Sequence, residues 1–276
     1  MIELFDSHAH YDDEKFDEDR EKILADIYND GITKFISAGY DLQSSIEGLE
    51  FANKYNYIYT TVGISQNDVK ETEKDTIKEI EKIEELLIKD LEESKKQNKK
   101  SKIVGIGEIG LDYYWNTTNK KIQQIAFIKQ IELANKYNLP IIIHSRDAVS
   151  DTLDILKNKA ISVNKGIFHC CPLNRELVKE ALKIGFYISF AGPVTFKNSK
   201  NAEEIANMVP LDKMLIETDS PYLAPEPKRG TRNDSRNVRY IAEKIAAFRK
   251  TTIEEIGKHT YENAEKIFKI KSTTNF

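Results

Sequence analysis

Histidines and acidic residues stand where the apolar, strand-like runs of this chain end. His8 and His10 follow the first run. Side chains two residues apart on a strand point the same way, so both imidazoles are expected to face one site. The residues that follow the apolar part of later runs are Glu108, His144, His169 and Asp219. Four of the five histidines therefore share this position with two carboxylates. The fifth, His259, lies in the C-terminal helical region, where we expect a structural or surface role.

Imidazole nitrogens and carboxylate oxygens are the ligands that zinc and manganese prefer, and magnesium accepts them less readily. Six such residues suit a pair of divalent ions, which in hydrolases lie about 3.5–4 Å apart and share a bridging carboxylate and water. Glu108 is central in the order of strands and is the expected bridge. Asp219 could orient the water or take its proton. The set predicts a two-metal hydrolase in which Glu108 and Asp219 are catalytic residues as well as ligands.

Eight strand-like runs that alternate with helical patterns would position these residues. The runs are Glu3–Asp6, Lys34–Gly39, Ile58–Ile64, Ile103–Leu111, Pro140–Ser145, Gly166–Cys170, Tyr187–Gly192 and Met214–Asp219. Such alternation is typical of βαβ units and a parallel sheet. Eight units in about 250 residues predict a (β/α)₈ TIM barrel, whose strand C-termini form the active-site mouth. A doubly wound open sheet is the structural alternative.

The rest of the chain completes a single predicted domain over residues 1–276. Helices near 236–249 and 253–268 predict a C-terminal helical extension of the barrel. The Glu- and Lys-rich tract 69–102 predicts a solvated outer helix. Its last part, Ser94–Lys102, is predicted to be a flexible, exposed loop.

The composition excludes a disordered or membrane-embedded chain. Hydrophobic residues make up 40% of the sequence and charged residues 31%, and no apolar run is long enough to span a membrane. The only cysteines, Cys170 and Cys171, are adjacent, which fits a reducing compartment. With no signal-like start, a cytoplasmic protein is expected. The net charge of -4 argues against nucleic-acid binding through bulk charge. It leaves room for an enzyme that holds a phosphate with a few cations.

Five segments together resemble the TatD family of metal-dependent deoxyribonucleases. They are Asp6–His10, Gly105–Tyr113, His144–Arg146, Phe168–Cys170 and Glu217–Pro225, in the family's order and over essentially the whole chain. The resemblance implies a TIM barrel of the amidohydrolase-like superfamily. It also implies that the six residues above hold the metals. The implied reaction is hydrolysis of phosphodiesters in DNA, often from the 3′ end of a single strand.

Three departures from the family pattern leave the six predicted ligands intact and bear on substrate preference. Ser65 stands where the family usually has the histidine of Gly-x-His-Pro. After the histidine and cysteine of strand six the family usually continues Phe-Ser-Gly, whereas this chain continues Cys171-Pro172-Leu173. The Arg-Gly-x-Arg-Asn motif survives at residues 229–233, but Asp234 and Ser235 replace the usual Glu and Pro.

Cations and aromatic residues near the strand ends are candidate substrate contacts. Lys197 could meet a phosphate as a point charge, whereas Arg146, Arg229 and Arg232 could hold one through paired donors. Tyr113 and Tyr222 could stack on an unpaired base, and Trp115 is a weaker candidate for the same task. The expected partner is therefore DNA, single-stranded or at a chain end, without a membrane or an obligate protein partner.

Two other classes of function stay open at this point. A related barrel hydrolase could act on an amide, a lactone, a phosphotriester or an aminoacyl-tRNA ester. Many amidohydrolases have a carboxylated lysine where this chain has Glu108, which disfavours them, and the basic cluster Lys228–Arg239 favours a polyanionic substrate. A non-catalytic nucleic-acid-binding or scaffold protein has little support, because all six predicted ligands are present.

Overall fold

Apolar and β-branched residues that are buried on both faces form eight parallel strands, which hydrogen-bond in chain order within one sheet. The computed structural model describes residues 2–115 and 119–270. The strands are β1 (Leu4–Ala9), β2 (Ile32–Ala38), β3 (Ile58–Val62), β4 (Ile103–Asp112), β5 (Ile141–Arg146), β6 (Gly166–Phe168), β7 (Tyr187–Phe190) and β8 (Met214–Ile216). A parallel bridge between Ala9 and Ser220 joins the end of β1 to the chain beyond β8. The predicted (β/α)₈ barrel is confirmed, and the doubly wound open sheet is excluded.

Helices follow every strand in the described ranges. They are α1 (Arg20–Asn29), α2 (Leu42–Lys54), α3 (Glu73–Lys96), α4 (Lys120–Lys136), α5 (Val149–Asp154), α6 (Arg175–Lys183), α7 (Ala202–Met208), α8 (Val238–Arg249) and α9 (Ile253–Ile267). Several begin at side chains that satisfy free N–H groups: Asp41 and Ser44 form a capping box on α2, and Thr252 caps α9. Helices α8 and α9 occupy the two C-terminal stretches predicted to be helical.

The predicted loop over Ser94–Lys102 is wrong in its first part, because α3 continues to Lys96. Glu and Lys are good helix formers, and the helix ends only where Asn98 takes a left-handed φ of 52°. The hydroxyl of Ser101 then donates to the carboxylate of Asp90 on α3. The segment that leads into β4 is thereby tied to the helix.

Strand ends differ from the prediction by a few residues, which moves some candidate ligands into loops. Strand β1 extends to Ala9, whereas β6 ends at Phe168 and β8 at Ile216. His8 therefore lies within its strand, His10 and His169 directly follow theirs, and Asp219 lies three residues beyond β8. A loop residue can turn its side chain into the barrel mouth, where an ideal strand would alternate faces.

The chain divides into two compact units: Met1–Phe35 with His169–Phe276 form one, and Ile36–Phe168 form the other. We call them the terminal unit and the central unit. The single domain over 1–276 stays a prediction. Within the described ranges, no helix combines the length and apolar character needed to cross a membrane.

Candidate metal centre

Three ligand atoms of the terminal unit converge at the end of β1. The Nε2 atoms of His8 and His10 lie 3.1 Å apart, and the Oδ1 atom of Asp219 lies 3.7 Å from the first and 3.4 Å from the second. Nitrogen and oxygen ligands about 2.0–2.2 Å from one tetrahedral ion would lie roughly 3.3–3.6 Å from one another. The triangle in the structure has nearly these edges, so this donor set fits a divalent ion.

Asp219 is held in its ionised form. Burial by itself raises the pKa of this carboxyl, but the hydrogen bond from His10 and the positive charge on the neighbouring imidazoles lower the pKa to about 2. Its backbone has a left-handed φ of 58°, a conformation that Asp and Asn tolerate better than most residues. An ionised acceptor in a fixed loop conformation suits a metal ligand.

Asp6, which the sequence analysis assigned no role, holds the chain next to Asp219. Its carboxylate accepts hydrogen bonds from the backbone N–H of Thr218 at 2.9 Å and from the hydroxyl of Thr218 at 2.5 Å. Complete burial raises the pKa of Asp6 to about 7, against the lowering effect of these hydrogen bonds. Asp6 therefore ties β1 to the loop after β8, and this contact positions Asp219.

His169 joins the terminal-unit group through ring stacking and a buried carboxylate. Its ring stacks on that of His8 with centroids 4.1 Å apart, and its Nδ1 atom lies 3.5 Å from Oε1 of Glu217. Glu217 is completely buried and also accepts the backbone N–H of Cys170 at 2.5 Å. A carboxylate beside one ring nitrogen of a histidine orients the other nitrogen toward a metal. Glu217 was missed by sequence reasoning as a functional residue; the signal was an acidic residue inside an otherwise apolar strand run.

In the central unit, a β-bulge aims Glu108. Ile106 pairs with Ile141, but Ile109 pairs with Ile143, so β4 carries one residue more than β5 over this stretch. The extra residue lies at Gly107–Glu108. Bulges turn side chains away from strict alternation and are frequent beside active sites. The sequence predicted Glu108 at a strand end, whereas the structure places it within β4, directed by the bulge.

Glu108 meets His144, which Asp112 orients. The Oε1 atom of Glu108 lies 3.3 Å from Nδ1 of His144 and accepts a hydrogen bond of 3.1 Å from Gln66. On the other side of the ring, Nε2 of His144 lies 3.0 Å from Oδ2 of the buried Asp112. With a proton on Nε2, the lone pair of Nδ1 points to the same place as the Glu108 carboxylate. Asp112 and Gln66 are further residues that sequence reasoning did not assign.

The six predicted ligands thus fall into two groups, one in each unit. His8, His10, His169 and Asp219 come together in the terminal unit, and Glu108 and His144 do so in the central unit. Imidazole nitrogen and carboxylate oxygen together match the preferences of zinc and manganese. His259 lies on α9 with its side chain half-buried, and the structural or surface role expected for it stays a prediction.

Ser65 takes part in a turn where the family pattern has a histidine. Its hydroxyl donates to Asp68 at 2.5 Å and accepts the backbone N–H of Asn67 at 3.2 Å. The side chain is buried. Gln66, the next residue, is the one that reaches Glu108.

The predicted substrate contacts of the central unit differ in availability. The hydroxyl of Tyr113 donates to Asp151 at 2.7 Å and accepts from Gln124 at 2.9 Å. Burial, with this acidic neighbour, raises the pKa of the hydroxyl to about 12. Arg146 is exposed at the end of β5, and its guanidinium lies over the ring of Tyr114. Arg146 is thus available to a ligand, whereas the hydroxyl of Tyr113 already has two partners.

Three of the predicted contacts in the terminal unit, Tyr222, Arg229 and Arg232, line a pocket of about 470 Å³ together with Lys15 and Phe196. Arg229 lies 3.7 Å from the centroid of the Phe196 ring, and no described carboxylate pairs with it. Arg232 instead donates twice to Asp19, at 2.7 and 2.8 Å. The Tyr222 hydroxyl donates to Asp13, and Lys15 covers its ring at 4.1 Å.

Lys197 is exposed beyond β7 and outside the residues that line this pocket. Of the predicted cations in the terminal unit, Arg229 is therefore the best placed to meet an anion inside the pocket. The substrate roles of all these residues stay predictions.

Comparison with known proteins identifies the family. The model of the family described as TatD related DNase matches residues 5–269. The chain belongs to the TatD-related DNase family. Within it, the uncharacterized metal-dependent hydrolase YabD of Bacillus subtilis is 40% identical over 267 residues, which cover 97% of this chain and 99% of the relative. The 3′-5′ ssDNA/RNA exonuclease TatD of Citrobacter rodentium is 29% identical, with 97% and 98% covered.

A solved structure from the same family supports the fold. YjjV, a TatD homolog of Escherichia coli K12, matches with a TM-score of 0.86 and 22% identity, over 97% of this chain and 98% of that chain. At this identity the match bears on the barrel alone. Together with the family assignment and the convergent donors, the comparisons make this chain a metal-dependent hydrolase of the TatD family.

Proposed function

We propose that the chain is a nuclease that hydrolyses phosphodiester bonds in single-stranded DNA, acting as a 3′-5′ exonuclease. The proposed ligands of two divalent ions are His8, His10, Glu108, His144, His169 and Asp219. The observation that carries the hydrolytic chemistry is the triangle formed by His8, His10 and Asp219, whose edges match those of a tetrahedral metal site. The bridging role of Glu108 remains part of the proposal.

Bound divalent ions would supply Lewis-acid activation of a water and of the phosphoryl group. The chain's own residues supply placement. Asp219 is an acceptor for the hydrogen bond that orients the attacking water. Asp112 orients His144 through the contact of 3.0 Å to Nε2, so that Nδ1 is presented, and Glu217 places a carboxylate 3.5 Å from Nδ1 of His169.

Two observations support nucleic acid as the substrate: an arginine in the terminal-unit pocket and the name of a relative. The terminal-unit pocket contains Arg229, an arginine without a carboxylate partner among the described residues, next to aromatic side chains. Arginine holds phosphate through paired donors. The relative from Citrobacter rodentium carries the name of a 3′-5′ ssDNA/RNA exonuclease. An overall charge of -4 favours a local grip on a chain end over binding along a duplex.

The deciding experiment gives metal-stripped protein Zn²⁺, Mn²⁺ or Mg²⁺ and end-labelled substrates. We expect single-stranded DNA to be shortened from its 3′ end, with RNA and duplex DNA cut more slowly. A panel of a lactone, a phosphotriester and an aminoacyl-tRNA tests the related barrel reactions in parallel. Hydrolysis of one of these, with every nucleic acid left intact, would replace the proposed function.

A pair of histidine variants tests the metal site in the same preparation. His10→Ala should lose bound metal and activity, because it removes one corner of the donor triangle. His259→Ala is the matched control and should keep both. Elemental analysis that finds equal metal in the two variants contradicts the ligand assignment.

A further inference from the structure

An exposed aromatic cluster stands where β4 and β5 end. Trp115 is 69% exposed and Tyr114 is 53% exposed, more than any other aromatic side chain in the described part of the chain. Their rings meet edge to face with centroids 4.8 Å apart. Single exposed apolar residues need no explanation, but two large rings packed together in solvent indicate a binding surface.

Arg146 completes this cluster. Its guanidinium lies 3.9 Å from the centroid of the Tyr114 ring and 5.4 Å from that of Trp115. Arg146 is exposed, and among the described residues no carboxylate pairs with it. In this respect it resembles Arg229 and differs from Arg232 and Arg236, which are paired with Asp19 and Asp234. Its positive charge is therefore available to an anionic ligand.

The cluster is fixed to the proposed metal site by a single buried carboxylate. Oδ1 of Asp112 accepts the backbone N–H groups of Tyr114 and Trp115 at 2.8 and 2.9 Å. Oδ2 of the same side chain lies 3.0 Å from Nε2 of His144. In the strand register Asp112 pairs with Arg146. One side chain thus sets both the orientation of His144 and the position of the aromatic rings.

We propose that Tyr114, Trp115 and Arg146 form a stacking platform that holds an unpaired nucleobase of the substrate and the phosphate beside it. The proposal rests on the proposed nuclease function and deepens it, because a paired base has no face to offer the platform. Indole and phenol rings stack on any base, and an arginine contributes both a cation–π contact and a phosphate contact. The platform therefore selects for a single-stranded segment without selecting for sequence.

Trp115 is the only tryptophan of the chain, so its fluorescence reports on the platform directly. The holoenzyme is titrated with a short oligothymidylate made with cleavage-resistant phosphorothioate links. An abasic strand of equal length carries the same charge without bases. We expect the oligothymidylate to quench the emission and the abasic strand to leave it nearly unchanged. Equal responses to both strands would overturn the platform.

The kinetics of variants show whether the platform side chains bind the substrate or only support the fold. Trp115→Ala should raise KM for the oligonucleotide about 5- to 150-fold, the range that base stacking on one aromatic residue gives, and Trp115→Phe should keep most of the affinity. Arg146→Gln should raise KM as well. Tyr28→Ala, which removes an exposed aromatic ring from α1, is the matched control. The KM of Tyr28→Ala for the oligonucleotide should equal that of the wild type.

The platform and the nuclease function fail in different ways. If the metal-loaded wild type cleaves no nucleic acid, the nuclease function is contradicted, and the platform with it. If the wild type and Trp115→Ala cleave an unmodified oligothymidylate with the same KM, and the cleavage-resistant strand does not change the emission of the wild type on binding, the platform alone is wrong.

Discussion

In the proposed metal site, Asp112 decides which nitrogen of His144 is offered to the ion. Its Oδ2 atom, 3.0 Å from Nε2, favours a proton on that side of the ring, which leaves Nδ1 as the proposed ligand atom beside Glu108. Carboxylates in this position are worth about 10- to 100-fold in metal affinity. Asp112→Asn should therefore weaken metal binding by a factor in this range, as measured by competition with a chelator.

The control for Asp112 is a carboxylate of the same unit that no imidazole contacts in the described chain. Asp151 accepts from Tyr113 at 2.7 Å and from Gln124 at 2.9 Å. Asp151→Asn should leave metal affinity unchanged. Equal affinities in the wild type and both variants would mean that Asp112 does not orient His144.

Asp219 can be tested without disturbing the backbone. Its φ of 58° is one that Asn also adopts readily, so Asp219→Asn retains the shape and one oxygen and removes the charge. We expect the folded variant to retain substrate binding and to lose catalysis by roughly a hundredfold or more, the scale of a lost proton-transfer or orienting group. Turnover, metal content and melting temperature are measured together. A metal-loaded, folded variant with near-normal turnover would show that Asp219 is not catalytic.

At the scale of the elements, the close pairing of β4 with β5 positions Glu108 and His144, the proposed ligands of the central unit. Gly110 faces His144 in the register, and a Cβ atom built on Gly110 would lie 2.0 Å from the carbonyl oxygen of His144. Gly110→Ala must therefore push the strands apart. We expect a loss of at least about 1–3 kcal/mol in the free energy of unfolding, the usual cost of overpacking, together with weaker metal binding.

Gly230 provides the matched control. Both glycines have a positive φ, 142° at Gly110 and 84° at Gly230, but nothing lies within 4 Å of a Cβ atom built on Gly230. Gly230→Ala should therefore lower the free energy of unfolding only by the cost of a Cβ atom at positive φ, about 1–2 kcal/mol. Denaturant unfolding and metal titration compare the two. If Gly230→Ala destabilises as much and Gly110→Ala retains full metal affinity, close strand contact does not position His144.

Sequence reasoning succeeded for features that depend on local pattern. Buried parallel strands are read as short apolar runs, so the eight strands and the polar residues near their ends could be predicted. The bulge that aims Glu108 could not, because it is defined by the pairing of β4 with β5. Glu217 and Asp112 were missed for a similar reason: their partners His169 and His144 lie 48 and 32 residues away in the chain. Arg229 and Arg232 look alike in the sequence, and only folding brings Asp19 to one of them.

At the scale of the whole molecule, the net charge of -4 repels a polyanion, so affinity for nucleic acid must come from a few local cations. Each phosphate contact made by a cation adds roughly one unit to the salt dependence of binding, and about 0.7 for a single strand. Both Arg229 and Arg232 line the pocket of about 470 Å³, and both were predicted to hold phosphate. The structure distinguishes them, because Arg232 is paired with Asp19 through two hydrogen bonds and Arg229 has no described carboxylate partner.

Arg229→Gln should therefore lower the slope of log affinity against log salt for single-stranded DNA by about 0.7, and weaken binding more at low salt than at high salt. Arg232→Gln should leave this slope almost unchanged and instead lower the melting temperature, because it breaks a half-exposed ion pair with Asp19. Fluorescence anisotropy of a labelled strand over a salt series gives both slopes. If the slope falls in Arg232→Gln and stays constant in Arg229→Gln, the roles are reversed, and the ion pair with Asp19 must open when the substrate binds.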